Sequence, residues 1–200
     1  MIVDIATHPI TELLAILTFV MYVFLAAKGN IWCWAAGFLT SFLYTFIFLG
    51  LHFPSQLFLN ILYMIMSVWG WSEWTQVRKR HQQSVYGYTS LKKQLQFLPL
   101  LLLAIALCML FLPSAFLNVN PIVDAGITVT SIYATILTVY RRIESWLYWI
   151  VLNAVNAVLF LDGQLTQTAI LYATMAVVAV YGYINWQKLW REDIAEFGYD

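Results

Sequence analysis

Long apolar runs are the feature that most constrains how this chain folds. Each is close to the roughly 20 residues that an α-helix needs to cross a bilayer, and they lie at residues 10–27, 32–50, 55–75, 95–117, 122–140, 144–162 and 166–188. Apolar residues make up 62% of the 200-residue chain and charged residues 10%, whereas soluble domains are about 45 to 50% apolar and a quarter charged. We therefore expect an all-α integral membrane protein with seven transmembrane helices.

The residue types in these runs argue against several other classes of protein. Residues 1–11 contain no Lys or Arg, so the first run is expected to be a retained span rather than a cleaved signal peptide. Cys33 and Cys108 lie in apolar stretches without a CxxC spacing, which predicts neither a metal site nor a disulfide. The spans hold no nucleophile with a base and no paired carboxylates, so we expect no enzyme activity and no cofactor.

The distribution of positive charge predicts the orientation in the membrane. If the N-terminus is outside, every Lys and Arg of the chain falls on the cytoplasmic side, as the positive-inside rule requires. The sequence therefore predicts an outside N-terminus and a cytoplasmic C-terminus.

An internal repeat organises the seven runs. The segment VWGWSEW at 68–74 is followed 112 residues later by VYGYINW at 180–186, and Lys28 aligns with Arg141 or Arg142 at nearly the same offset. We expect a first three-helix repeat at 10–75, a cytoplasmic linker at 76–94 and a connecting helix at 95–117 that contains Pro99 and Pro113. A second repeat at 122–188 and a cytoplasmic tail at 189–200 complete this parallel 3+1+3 arrangement. Such repeats are a transporter architecture, with the site at the interface between the repeats.

Polar and aromatic residues recur at helical spacing inside the spans. The third run carries Asn60 and Tyr63, the sixth carries Trp146, Trp149, Asn153 and Asn156, the fifth carries Thr128, Ser131, Thr135 and Thr138, and the second and seventh add Trp34 and Tyr172. Such residues also serve as helix-to-helix hydrogen bonds worth about 0.6 kcal/mol each, and Trp also anchors helices at the interface. The candidate substrate contacts are Asn60, Tyr63, Trp146, Trp149, Asn153, Asn156, Tyr172 and Trp34.

These side chains indicate the kind of solute that the protein binds. Aromatic rings favour a flat or cationic heterocycle through cation–π attraction, and amides recognise hydroxyl or amide groups. Apart from Lys188, which lies at the cytoplasmic end of the seventh run, no Lys or Arg lies inside a span to neutralise a phosphate, so we expect an unphosphorylated ligand. Proton-coupled carriers usually hold titratable relays at mid-membrane, and their absence from the span centres favours passive facilitated movement.

Two motifs resemble a known family. The W-G-W-x-x-W end of the third run and the R-x-x-E-x-W-L-x-W-x-x-x-N pattern of the sixth are together similar to the PnuC-type vitamin transporters of bacteria, and the similarity covers nearly the whole chain. The resemblance implies a fold like a doubled SWEET protein in the bacterial inner membrane. It implies facilitated diffusion of a vitamin precursor that a cytoplasmic kinase then traps by phosphorylation, with Trp146, Trp149, Asn153 and Asn60 as substrate contacts.

The resemblance leaves the substrate open. Relatives carry nicotinamide riboside, thiamine or riboflavin, and Asn60 stands where a riboside carrier has Gln. The amides of the sixth run and the tyrosines of the seventh match ribose hydroxyls, so we expect nicotinamide riboside, with thiamine as the alternative. The partners expected are this vitamin, the lipid bilayer and, functionally, the kinase, with no nucleic acid. A homo-oligomer is left open.

Overall fold

Seven α-helices make up most of the part of the chain that the structure describes. The computed structural model describes residues 9–50, 54–80, 86–111, 120–164 and 166–197. In chain order the helices are α1 (Pro9–Ala27), α2 (Trp32–Gly50), α3 (Pro54–Arg80), α4 (Leu91–Phe111), α5 (Pro121–Val139), α6 (Ser145–Asp162) and α7 (Thr166–Phe197). The expected all-helical architecture with seven helices is confirmed.

Six of these helices are individually long and apolar enough to cross a membrane. The helix outside that set is α3, which at 27 residues is long enough but contains more polar and charged residues. It carries the candidate residues Asn60 and Tyr63, and its C-terminal end is basic. The helix with the weakest apolar character is therefore one that carries candidate site residues.

Three helices extend further than the apolar runs. Helix α3 continues to Arg80, α4 already begins at Leu91, and α7 continues to Phe197. Backbone hydrogen bonding within a helix does not require apolar side chains, so a helix can leave the hydrocarbon layer without ending. Pro99 lies inside α4, whereas Pro113 lies outside the described residues.

The chain divides into two units, Met1–His81 and Gln82–Asp200. In unit 1, α1 packs against α2 and α2 packs against α3. In unit 2, α4 packs against α5, α5 against α6, and α6 against α7. Each unit therefore has its own internal helix packing.

The turns between α1 and α2 and between α5 and α6 have the same backbone hydrogen bonds. Gly29 in the first turn has φ 68°, and Arg141 in the second has φ 51°, a left-handed conformation that is uncommon for a residue with a side chain. Gly29 N donates to Ala26 O at 2.9 Å, and Arg141 N donates to Thr138 O at 3.0 Å. The hydrogen bonds of the two turns thus correspond at an offset of 112 residues, which pairs Gly29, rather than Lys28, with Arg141.

A tryptophan–glycine contact also recurs at this offset. In unit 1 the Trp34 ring lies against Gly70, where a Cβ atom would be 2.5 Å from two ring atoms. In unit 2 the Trp146 ring lies against Gly182, where a Cβ would be 2.7 Å from three ring atoms. Only glycine leaves room for an indole at this distance. In each unit, a tryptophan ring of one helix therefore packs into the gap that a glycine leaves on the neighbouring helix, and this gap is called the notch below.

A second tryptophan completes each notch. Trp34 meets Trp74 edge-on with ring centroids 5.5 Å apart and an interplanar angle of 88°, and Trp146 meets Trp186 at 5.4 Å and 88°. Edge-to-face geometry is a favourable arrangement for aromatic rings. Helix packing therefore explains why a glycine is followed four residues later by a tryptophan in both units, at Gly70 and Trp74 and at Gly182 and Trp186.

Candidate substrate site on helix α6

Asn153 is the candidate site residue whose amide is free. Its side chain is 8% exposed, and it makes no hydrogen bond to any residue that the structure describes. Neither Oδ1 nor Nδ2 of Asn153 is fully enclosed, so both atoms can be reached from outside the helix packing. A polar solute could therefore form hydrogen bonds to both groups of this amide.

Trp149 lies one turn before Asn153 on the same face of α6. Its side chain is half-buried, and its Nε1–H donates to Thr138 Oγ1 of α5 at 3.5 Å. The edge of the ring is therefore tied to the neighbouring helix while part of the ring surface stays accessible. This arrangement suits stacking on a flat heterocycle.

The next two candidates in unit 2 already have partners. Asn156 Nδ2 donates to Leu152 O at 2.8 Å within α6, so one of its two amide N–H groups is already used. Tyr172 of α7 is stacked on Phe160 with centroids 5.2 Å apart and an interplanar angle of 6°. Tyr172 is thereby oriented by a second ring, and it stays half-buried.

Trp146 and Trp34 are held in the helix-packing notches. Their side chains are 3% and 1% exposed, respectively, and the Nε1 atoms of both are buried without a hydrogen-bond acceptor among the described residues. Both rings have a structural role in packing, and a contact of either with substrate stays a prediction.

In unit 1 the candidates Asn60 and Tyr63 lie on α3. Asn60 is 8% exposed, and its Nδ2 donates to Gln56 O at 2.8 Å. The Tyr63 side chain is half-buried, and its backbone carbonyl accepts from Ser67 Oγ at 2.8 Å. One amide N–H of Asn60 is therefore already used, whereas both N–H groups and the oxygen of Asn153 are left for a ligand.

Sequence reasoning missed a clasp formed by residues 86–90, which it assigned to a polar linker. Gly87 N donates to Arg141 O at 3.4 Å, and Ile143 N donates to Gly87 O at 3.0 Å, which attaches the segment to the α5–α6 turn. Thr89 N donates to Glu144 Oε1 at 2.8 Å. Glu144 is 4% exposed although charged. This clasp fixes the chain before α4 against the end of α6 that leads into the candidate site.

Aromatic rings hold the same clasp on α7. Tyr86 meets Trp186 at 5.2 Å between centroids, and Tyr88 meets Trp190 at 5.3 Å. Gln187 Nε2 donates to Tyr88 Oη at 2.9 Å. The only signal in the sequence was the Tyr-Gly-Tyr run at 86–88, since aromatic residues are unusual in a solvated linker.

The chemistry of this region is neutral recognition. Among the residues that the structure describes, no group of His, Cys, Asp and Glu could hold a metal ion. The stripe of α6 presents an indole and two amides without a charged side chain between them. Such groups bind a ligand by stacking and hydrogen bonding.

Comparison with known proteins places this arrangement among transporters. The family model described as "Nicotinamide mononucleotide transporter" matches residues 9–188. The chain is 21% identical over 181 residues to the nicotinamide riboside transporter PnuC of Escherichia coli (strain K12), covering 78% of this chain and 76% of that one. A transporter of the same name from Neisseria mucosa is 37% identical over 75 residues, which cover 34% of this chain and 28% of that one.

A solved structure has the same fold. The chain superposes on the crystal structure of the vitamin B3 transporter PnuC with a TM-score of 0.72 and 21% identity. The match covers 96% of this chain and 90% of the other. All seven helices therefore belong to a fold already seen in a membrane transporter.

Proposed function

Because the chain belongs to the nicotinamide mononucleotide transporter family, we propose that it carries unphosphorylated nicotinamide riboside across the bacterial inner membrane. The movement is facilitated diffusion, and phosphorylation by a cytoplasmic kinase traps the arriving molecule. The N-terminus is outside and the C-terminus is cytoplasmic. Two parallel three-helix repeats joined by α4 form the carrier.

The free amide of Asn153 carries this proposal. It is buried to 8% exposure without a hydrogen-bond partner among the described residues. Trp149 one turn away offers a partly open ring. A riboside has a flat cationic ring for the indole, with cation–π attraction of about 0.5 to 2 kcal/mol, and it has hydroxyl and amide groups for the asparagine.

The charge distribution supports the riboside over its phosphorylated form. No Lys or Arg lies between residues 143 and 187, the stretch that includes α6 and most of α7. A phosphate brought into this region would lack a cationic partner, and an unpaired buried charge is costly. We expect the mononucleotide to compete poorly with the riboside, although the family model takes its name from the mononucleotide.

Passive movement follows from the same scarcity of charge. The described part of α6 has no titratable side chain between Tyr148 and Asp162 to relay a proton through the candidate site. With the membrane potential clamped at zero, uptake into proteoliposomes should therefore equilibrate and stop, and an imposed proton or sodium gradient should not raise the final level. The riboside is a cation, so a membrane potential alone would drive its accumulation. Accumulation above the external concentration at zero potential and without a kinase would contradict facilitated diffusion.

The decisive experiment is calorimetric titration of the purified protein with nicotinamide riboside, thiamine and nicotinamide mononucleotide. We expect the riboside to bind most tightly and Asn153→Leu to abolish that binding while the protein still inserts and elutes as the wild type does. Asn156→Leu is the matched comparison, and it should lose less because its amide N–H already bonds within α6. Binding of thiamine alone would reassign the substrate. Unchanged riboside affinity in Asn153→Leu would refute the site.

A further inference from the structure

Thr138 is the hydroxyl residue of α5 that reaches the candidate site. It is 2% exposed, and its Oγ1 donates to Ala134 O at 2.9 Å. Because its proton is committed to the helix backbone, a lone pair of Oγ1 is left to accept the indole N–H of Trp149 at 3.5 Å. The hydroxyl therefore acts as an acceptor in a fixed direction.

The position of Thr138 is itself well fixed. Its carbonyl accepts from Arg141 N at 3.0 Å in the left-handed turn that ends α5. The next residue, Val139, is 1% exposed. A hydroxyl on such a constrained turn can hold the plane of a neighbouring ring, whereas a mobile one could not.

The contact between Thr138 and Trp149 is not needed to form the turn, as the corresponding turn of unit 1 shows. At the offset of 112 residues, Thr138 corresponds to Ala26 and Trp149 corresponds to Gly37. Ala26 O accepts from Gly29 N at 2.9 Å, as Thr138 O accepts from Arg141 N, so the backbone of the turn forms equally well without the hydroxyl. The indole and its acceptor are thus both present in unit 2, and both are missing from the corresponding positions of unit 1.

We propose that Thr138 is a positioning residue that orients the Trp149 ring for stacking on the flat ring of the substrate. The inference rests on the proposed function, because it assigns Trp149 to the substrate site. Thr138 itself touches the ring edge of Trp149 and not the substrate. Its loss leaves the indole in place but lets it turn, so the stacking geometry is populated for a smaller share of the time.

Binding of nicotinamide riboside to purified variants tests this role. Thr138→Val keeps the shape and removes the acceptor, and we expect its dissociation constant to rise about 2- to 12-fold, the loss of one neutral hydrogen bond. Thr138→Ser keeps the acceptor and should bind within about twofold of the wild type. The control is Thr135→Val, since Thr135 is also buried and its hydroxyl also donates to a carbonyl of its own helix, Ser131 O at 2.8 Å, whereas the Trp149 indole bonds to Thr138.

A double-mutant cycle distinguishes positioning from a general effect on folding. Trp149→Phe keeps an aromatic face and removes the N–H donor, so adding Thr138→Val to Trp149→Phe should cost no further affinity. A further loss of the same size, or an equal loss in Thr135→Val, would overturn the inference. If Thr138→Val does not fold, Thr138→Ala serves in its place with the same expectation.

Failure of this inference is distinguishable from failure of the proposed function. Wild-type protein that binds neither riboside nor thiamine overturns both. Riboside binding that Asn153→Leu abolishes but Thr138→Val leaves unchanged overturns only the role of Thr138.

Discussion

Trp146 and Gly182 are in contact across α6 and α7, and a Cβ atom on Gly182 would lie 2.7 Å from three atoms of the indole. The equivalent contact in unit 1 joins Trp34 and Gly70. These contacts fix how closely the paired helices approach in each unit. They explain why glycine stands in the middle of two long helices, where it is otherwise unfavourable.

Gly182→Ala should therefore destabilise the protein. Overpacking costs about 1 to 3 kcal/mol, which exceeds the gain of up to about 1 kcal/mol from replacing a helical glycine. Thermal unfolding in detergent measures the change, and Gly70→Ala should lower the midpoint similarly. Gly126→Ala is the control, because a Cβ atom there meets nothing within 4 Å. It should unfold at the same or a higher temperature, and equal midpoints for all three variants would contradict the packing role.

Trp146→Ala and Trp149→Ala should affect different properties. Trp146 is 3% exposed, and truncating a buried Trp costs about 3 to 5 kcal/mol, so its variant should mainly lose thermal stability. Trp149 is half-buried, so its variant should mainly lose riboside affinity. Unfolding midpoints and calorimetric titrations on both variants provide the comparison. A larger affinity loss in Trp146→Ala at full stability would instead place Trp146 in the binding site.

Glu144→Ala should release the clasp. The carboxylate accepts from Thr89 N at 2.8 Å, and hydrogen bonds to charged groups contribute about 1.5 to 3 kcal/mol. Trypsin should then cleave after Lys92 and Lys93 about 10-fold faster or more, if local opening follows that energy. Glu144→Gln keeps an acceptor oxygen and should be cleaved more slowly than Glu144→Ala.

The control for the clasp is Glu192→Ala. Glu192 is paired with Lys188 at 3.7 Å on the surface, where its side chain is 58% exposed, and such pairs contribute little. Cleavage should stay at the wild-type rate. If Glu192→Ala and Glu144→Ala are cleaved equally fast, the hydrogen bond of Glu144 does not hold the clasp in place.

Cysteine labelling tests the proposed orientation. In a background with Cys33→Ser and Cys108→Ser, a cysteine replaces either Ser90 or Gln164, both of which are exposed. A membrane-impermeant maleimide added to intact spheroplasts should label Gln164→Cys and spare Ser90→Cys until the membrane is opened. The reverse pattern would invert the topology.

The helices could be predicted from the sequence because each bilayer crossing is a local property. About 20 consecutive apolar residues specify a span whatever lies elsewhere in the chain. Composition did not predict the C-terminal ends of α3 and α7, where the helices continue through polar residues to Arg80 and Phe197. There the helical hydrogen bonds persist although the surrounding medium changes.

The candidate site was only partly predictable. Helical spacing predicted Asn60, Asn153 and Asn156 equally as substrate contacts. The side chains of Asn60 and Asn156 donate to the carbonyl four residues earlier, and that of Asn153 does not. Side-chain rotamer and neighbouring packing decide this difference, and neither is encoded in the spacing. Likewise, spacing could not tell that Trp146 fills a notch while Trp149 keeps an open face.

The sequence by itself determined that the chain is a membrane protein with seven helices, an internal offset of 112 residues and a set of neutral polar and aromatic residues inside its apolar runs. These properties depend on residue type and on spacing along one helix. The tertiary structure alone decided that tryptophans pack into glycine notches, that residues 86–90 clasp the start of α6, and that Thr138 meets Trp149. Each of these contacts joins residues distant in sequence, so it exists only once the helices have packed at a particular separation and rotation.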